Sequence, residues 1–395
     1  MKKFAAICVF IFVGVLCFAG SDELDMYSFL YSNSKTHQDQ LSLLQGMAER
    51  KLSGAGDFYA NALNALVKDY TNIKGANEMV YAENQAILLA SLVGQEKYSG
   101  AADDLWKLYN LFSDPLVKAE ALMSLGKIQA VQYLPQVIKV LENLTNNAPG
   151  RDHLSGERVA FGAIIALEKY GNMDGYLPVY FASKGWYNDR VKNQALKSLP
   201  LISEDPTERM ISVIKSPGYT YDVKLAALQS VDAASVSADS KSQAALAAFN
   251  ESWLASTNDV RLRGFLNSMR KTSMRMIREN GCSDSAVYPL LEKSYNQFAT
   301  HAGGDRDEAL DAIVTLRTLA TDDAVQMLSK FLMNINGRLQ SKTLTRNDED
   351  LVREIIPAIG ATKLAGGRTA LNTVNALDWP SAVKALANDA LSQLP

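Results

Sequence analysis

Histidines and cysteines are the residues of this chain most able to ligate a metal or act in catalysis, and the sequence has three of each. His37, His153 and His301 lie in polar segments, and none has a second histidine or a carboxylate at the helical spacing of a zinc site. We therefore interpret each as structural or solvated. Cys282 has no basic residue close in sequence to lower its pKa, so its neighbours in the fold decide whether the thiol is reactive. The sequence predicts no catalytic residue, no metal and no cofactor.

One glycine-rich segment, Gly366-Gly367-Arg368-Thr369, is similar to part of a phosphate-binding loop. Arginine stands where that loop needs lysine, and Thr362 stands where its first glycine belongs. The segment also follows a helical pattern instead of a strand. We therefore predict a turn between two helices.

Polar residues cluster again further upstream. The acidic run 347–350 is predicted to cap a helix that begins near Leu351, because negative charge stabilises the positive end of a helix dipole. Calcium binding would need a glycine-turned loop, which this run lacks. The preceding segment, 338–347, is predicted to be a loop between repeats.

Composition excludes several classes of protein. Apolar residues make up 47% of the 395 residues, which is typical of a folded chain. With 40 basic and 43 acidic residues the net charge is −3, and a chain without a basic excess is not expected to bind nucleic acid.

The first 19 residues have the pattern of a signal peptide. Lys2 and Lys3 precede an apolar run over residues 4–19, which is shorter than a membrane span. Cys17 and Ala19 are small enough for cleavage ahead of residue 20. The mature chain then has no transmembrane segment and is expected in the periplasm or outside the cell. An alternative is a lipid anchor on Cys17, although the bulky Leu16 before it does not suit lipidation.

A four-residue template recurs along the rest of the chain. It consists of a β-branched anchor followed by a small residue four positions on and by apolar residues five and eight positions on, which places all four on one side of a helix. Its strong copies begin every 32 to 42 residues and comprise Val117/Ala121/Leu122/Leu125, Val159/Ala163/Ile164/Leu167, Val191/Ala195/Leu196/Leu199 and Val223/Ala227/Leu228/Val231.

Start signals for helices accompany these copies. Asp114-Pro115 reads as an N-cap followed by proline at the first helical position, and Asn188, Asp222 and Asp259 are further capping candidates. A second helical segment, several times opened by proline, follows the anchor helices. No segment alternates with the two-residue period of a strand. The sequence therefore predicts an all-α chain built of helix pairs that must stack to bury their apolar sides.

The template resembles HEAT repeats, particularly the short bacterial kind first noted in phycobilin lyases, whose second motif places Asp before Val and a basic residue after it. The matching residues are Asp114/Val117/Lys118, Asp189/Val191/Lys192, Asp222/Val223/Lys224 and Asp259/Val260/Arg261. The resemblance implies a right-handed α-solenoid of stacked antiparallel helix pairs over residues 76–395. Residues 20–75 are predicted to be a helical capping segment, because a repeat array needs closed ends, and the alternative is an aromatic arm that binds a partner. Because the spacing is irregular, an armadillo-like or irregular α-solenoid is the alternative.

The recurrent basic residues, Lys118, Lys192, Lys224 and Arg261, have two interpretations. They either form a ladder to acidic residues of neighbouring repeats, as the resemblance implies, or line one side of the array for an acidic ligand. The periodic pairing of Asp with Lys favours the ladder.

Without a catalytic constellation, the leading hypothesis is a non-enzymatic, exported scaffold or adaptor that binds a protein partner in the bacterial cell envelope. One alternative is an accessory subunit or an enzyme whose site forms only in the fold. Another is a carrier of a cell-wall or lipid ligand, which would need an apolar groove.

Overall fold

The structure, a computed structural model, describes residues 23–52, 54–148, 150, 152–299 and 305–395. The predicted signal peptide and His301 lie outside the described residues. Twenty α-helices, joined by turns and short 3-10 segments, account for the described part of the chain, which contains no β-strand. The prediction of an all-α fold is therefore confirmed for these residues.

The chain divides into two compact units, Met1–Glu204 (unit 1) and Asp205–Pro395 (unit 2). The helices of unit 1 are α1 (23–33), α2 (His37–Arg50), α3 (Gly56–Asp69), α4 (Ala76–Gln95), α5 (Ala102–Leu111), α6 (Pro115–Lys127), α7 (Leu134–Asn146), α8 (His153–Tyr170), α9 (Tyr176–Lys184) and α10 (Asp189–Ile202). Those of unit 2 are α11 (Thr207–Lys215), α12 (Tyr221–Ala233), α13 (Ala238–Glu251), α14 (Val260–Asn280), α15 (Val287–Ala299), α16 (Arg306–Leu319), α17 (Asp322–Gln340), α18 (Arg346–Thr362), α19 (Arg368–Ala376) and α20 (Ser381–Ser392).

Each unit is built of two rows of helices. In unit 1, α2, α4, α6, α8 and α10 pack successively against one another, and α3, α5, α7 and α9 pack against them from one side. In unit 2 the even-numbered helices α12 to α20 form one row and the odd-numbered helices α11 to α19 form the other. Because each even-numbered helix contacts the next even-numbered helix of its unit, these rows bury their apolar sides only in company with their neighbours.

Side-chain caps start several of these helices where the sequence indicates them. Asp114 accepts hydrogen bonds from the amides of Leu116 and Val117 at 2.8 and 3.0 Å, and proline follows it at the first position of α6. Asn188 and Asp259 cap α10 and α14 in the same manner. The expected cap Asp222 instead lies inside the first turn of α12, whose N-cap position is Thr220.

The template residues form much of the core of unit 1. All four of the copy in α6, beginning with Val117, are fully buried, and those of α8 are nearly so. Leu196 is different, since it is 49% exposed. The buried arc of α10 passes through Val191, Ala195 and Ser198, so the position after Ala195 falls at its outer edge.

Glycines bring α6 and α8 close enough for backbone contact. A Cβ on Gly162 would lie 2.6 Å from the carbonyl oxygen of Ala119, and a Cβ on Gly126 would lie 2.6 Å from the Cα of Ala166. No side chain fits at either position without moving one helix away from the other.

Half of the loop predicted over 338–347 is helical. Helix α17 continues to Gln340 and α18 begins at Arg346, so only five residues lie between them. Thr345, not the acidic run, is the N-cap, and Asp348 completes a capping box with it. The Arg338 guanidinium also holds the buried Asp348 carboxylate with two hydrogen bonds, at 3.0 and 2.5 Å. Local charge pairing thus explains why both ends of this polar segment are helical.

Candidate interaction surface

A repeated pair of side chains marks the outer side of the even-numbered row in unit 1. Helices α4, α6 and α8 each carry two large apolar residues seven positions apart, namely Val80 and Ile87, Leu116 and Met123, and Leu154 and Phe161. Seven positions are nearly two helical turns, so the members of each pair lie on the same side of their helix. The first member is exposed in every pair, at 53, 46 and 57%, and the second is half-buried.

Helix α10 carries the same spacing with a different chemistry. Its corresponding residues are Arg190 and Lys197, and both are exposed. We call the combined surface the even face, which consists of Val80, Ile87, Leu116, Met123, Leu154, Phe161, Ile165, Arg190 and Lys197. The even face therefore changes along the row from apolar on α4, α6 and α8 to basic on α10.

Contacts between helix starts align neighbouring even-numbered helices at their N-terminal ends. The backbone amide of His37, the first residue of α2, donates to Glu78 in the first turn of α4 at 3.3 Å. The amide of Asn188, which caps α10, donates to Glu157 early in α8 at 2.9 Å. Short connections through the odd-numbered helices return the chain each time, so successive even-numbered helices run in the same direction.

The electrostatics of the even face are polarised along the row. Burial and the nearby Asp114 raise the pKa of the Glu83 carboxyl, which lies at the α4 end. At the other end, the Arg190 guanidinium lies 5.0 Å from the centre of the Phe161 ring, a cation–π contact between α10 and α8. The apolar pairs are thus bordered by acidic groups at one end and by cations at the other.

The four basic residues singled out in the sequence lie in different surroundings. The Lys118 ammonium is 5.1 Å from the centre of the Tyr109 ring, and Lys192 has no carboxylate within 4 Å among the described residues. Lys224 is buried and forms an ion pair with Glu251. Arg261 is exposed, and it contributes to lowering the pKa of the Asp222 carboxyl, after the larger effect of the Thr220 hydroxyl.

Helix α14 carries a charge ladder that sequence reasoning missed. Four of its cations form ion pairs with neighbouring helices. Arg275 pairs with Asp232 of α12 at 2.5 Å. The other three pair with the N-cap or the body of α16, namely Lys271 with Asp305 at 3.0 Å, Arg270 with Glu308 at 2.7 Å and Arg278 with Asp311 at 3.0 Å. The signal for this ladder was the row of basic residues in α14 itself, whereas the repeat template points only to the residue after each valine.

The most buried ion pair of this ladder, Arg270 with Glu308, joins three segments of unit 2. Arg270 and Glu308 are 4% and 0% exposed, and the Arg270 guanidinium also donates to the Ser252 carbonyl at 3.4 Å. The ring of Trp253 lies against the guanidinium at 4.5 Å. Arg270 and Glu308 therefore form a buried ion pair that joins α14 to α16.

His37, His153 and Cys282 have structural surroundings. His37 Nδ1 lies 2.8 Å from the Gln85 side-chain oxygen, and Gln85 is almost fully buried. His153 packs edge-on against Trp186. Cys282 is half-buried beside a cleft of about 520 Å³, and burial raises the pKa of its thiol. A raised pKa keeps the thiol protonated near neutral pH, which lowers its reactivity.

The glycine-rich turn is a packing feature. Gly366 and Gly367 end a short 3-10 segment ahead of α19, and a Cβ on Gly367 would collide with Ile359. The Arg368 guanidinium donates to carbonyl oxygens of the last two residues, among them that of Leu394 at 3.4 Å. The predicted turn between helices is therefore present at this position.

Two kinds of feature are absent from the described residues. No group of three or more His, Cys, Asp or Glu side chains in the described part is arranged to hold a metal ion. None of the described helices combines the length and the apolar character that crossing a membrane requires.

Comparison with known proteins assigns no family. No protein-family model and no curated protein matches the sequence. Among solved structures, the chain is similar to human deoxyhypusine hydroxylase in complex with glycerol, with 12% sequence identity over 82% of this chain and 99% of that chain. The TM-score is 0.28, so this likeness carries no argument about fold or activity.

Proposed function

We propose that this chain is a non-enzymatic, exported HEAT-like repeat protein that binds a protein partner and acts as a scaffold or adaptor in the bacterial cell envelope. In this proposal the helix pairs form a right-handed α-solenoid. Export rests on Lys2, Lys3 and the apolar run 4–19, and the repeat type rests on the recurring template.

The observation that supports binding is the repetition of apolar pairs on the even face. A single exposed apolar residue is ordinary on a protein surface, but α4, α6 and α8, three successive helices of the even-numbered row, each present one and add a half-buried apolar residue seven positions on. Half-buried Met123, Phe161 and Ile165 lie beside the exposed members and add area that a partner can cover. A partly apolar centre with charged groups around it is the usual composition of a protein–protein interface.

Site-specific photo-cross-linking in the source cells tests this function. A photoreactive phenylalanine analogue replaces Leu154 on the even face, and a matched variant carries it at Val131, which is 62% exposed but lies between α6 and α7. We expect one cross-linked envelope protein in stoichiometric yield from position 154 and none from position 131. Equal labelling at both positions, or only free monomer at both, contradicts the proposal.

A further inference from the structure

Resting on the proposed function, we infer that the α8–α10 end of the even face binds an acidic protein segment that carries large apolar side chains. In such a complex, carboxylates of the partner meet Arg190 and Lys197, and its apolar side chains lie on Leu154 and Phe161.

The first step is a change of chemistry at the seven-residue spacing. Helices α4, α6 and α8 each place an apolar pair at this spacing, whereas α10 places two cations there. Arg190 and Lys197 are seven residues apart, so their Cα atoms are separated by about 10 Å along α10. Two carboxylates at a similar separation on one segment can therefore contact both cations.

The second step is the lack of internal charge compensation. Neither Arg190 nor Lys197 has a carboxylate within 4 Å among the residues that the structure describes. Glu157, on the adjacent helix, accepts hydrogen bonds from the backbone and side-chain nitrogens of Asn188. Glu168 accepts from the Ser198 hydroxyl at 2.7 Å and pairs with Lys169. Those two carboxylates belong to α8. Helix α10 itself has one carboxylate, the exposed Asp189, so it keeps an excess of positive charge.

The third step distinguishes an acidic protein segment from an anionic membrane. The cations without an ion pair among the described residues lie at the α8–α10 end of the even face, where exposed Arg158 adjoins Arg190 and Lys197. By contrast, Glu83 and Asp114 border its α4 and α6 portions, and Glu120 is paired with Lys127 at 3.1 Å. An anionic lipid surface would be repelled by that acidic end if it covered the whole even face. A protein segment can place its carboxylates at one end only, which suits the polarity of the even face.

A random-peptide display library, selected against the full mature protein, tests this inference. We expect selected peptides to be enriched in Asp and Glu next to large apolar residues and to bind less tightly as salt concentration rises. The variant R190E/K197E should weaken their binding by about tenfold or more, because two attractive contacts become repulsive.

The matched control is K68E/K139E, which makes the same change in net charge on exposed lysines of α3 and α7, outside the even face. This control should bind the selected peptides like wild type. Peptides without acidic enrichment, peptides that bind R190E/K197E as tightly as wild type, or a selection that yields no peptide at all overturn the inference.

Two further measurements separate its failure from failure of the proposed function. If L154E weakens binding of the cross-linked partner and R190E/K197E does not, the scaffold function stands and the acidic-segment inference fails. If neither variant changes partner binding, both fail. Sedimentation with phosphatidylglycerol vesicles that depends on Arg190 and Lys197, without acidic peptides in the selection, would show a membrane contact instead and also overturn the inference.

Discussion

At the scale of single residues, glycines in this protein have opposite effects according to what surrounds them. Gly162 lies in the contact between α8 and α6, where the helices approach at backbone distance. Gly264 lies inside α14, is exposed and has no heavy atom within 4 Å of the position that a Cβ would take. The same substitution therefore tests packing at one site and backbone entropy at the other.

We expect G162A to destabilise the protein by about 1–3 kcal/mol, because the new methyl group forces α8 away from Ala119. We expect G264A to stabilise it by about 0.5–1 kcal/mol, because alanine restricts the unfolded chain and meets no obstacle in the helix. Urea unfolding followed by helical circular dichroism measures both. Equal shifts in the same direction would show that the close approach of α6 and α8 is wrong.

Arg270 provides a second test at this scale, since it is a buried cation held by one buried carboxylate. R270A should cost about 3–5 kcal/mol, because it leaves Glu308 charged and unpaired in the interior. The double variant R270M/E308L removes both charges with side chains of similar size and should recover most of that loss. A double variant as unstable as R270A would contradict the assignment of the loss to an unpaired charge.

At the scale of helices, the start of α16 couples stability to pH. Burial alone would raise the pKa of Asp305, but the Lys271 ammonium and the amides of Glu308 and Asp307 outweigh it and lower the pKa below its usual value. A carboxyl with a lowered pKa in the folded state stabilises the protein above its unfolded pKa, about 3.9. That stability is lost as the pH falls through the lower, folded value.

D305N should therefore destabilise unit 2 at pH 7 and have progressively less effect as the pH falls below about 4. The matched control is D378N, at an exposed aspartate with no ion-pair partner among the described residues. Denaturant unfolding across this pH range measures the difference. If D305N costs the same at pH 3 as at pH 7, the coupling to Lys271 is not the source of its stability.

The sequence predicted where several helices begin, but it did not predict the ion pairs that join one helix to another. Asp114, Asn188 and Asp259 cap helices as predicted, since a cap is a local hydrogen bond between residues two or three positions apart. The ladder of α14 depends on α12 and α16, whose residues lie more than thirty positions away. Such pairings need the relative positions of three helices, which a local pattern does not provide.

At the scale of the whole molecule, the even face could not be predicted from the sequence, because its residue types resemble those of the core. Phe161 and Ile165 are apolar residues of α8, as are the buried Ala163 and Ile164 between them. Composition alone does not separate the buried side of a helix from a half-buried outer strip. The seven-residue pairs become visible only once the template residues are assigned to the interior.

Export makes a prediction for the intact protein. If the signal peptide is removed as proposed, the mature chain begins at Gly20 and keeps Cys282 as its sole cysteine. Intact-mass measurement and N-terminal sequencing of protein from the source cells check this. A chain that retains Met1 would contradict export, and an acyl mass on Cys17 would show the lipid-anchored alternative.

The affinity of the cross-linked partner for purified variants tests the role of the even face most directly. L154E places a charge among the apolar residues of the even face, and V131E makes the same change at a similarly exposed apolar residue elsewhere in unit 1. Calorimetry should show Kd raised about tenfold or more by L154E and unchanged by V131E, because charge is depleted from the centre of protein interfaces. Equal values of Kd for wild type, L154E and V131E would contradict binding through this surface.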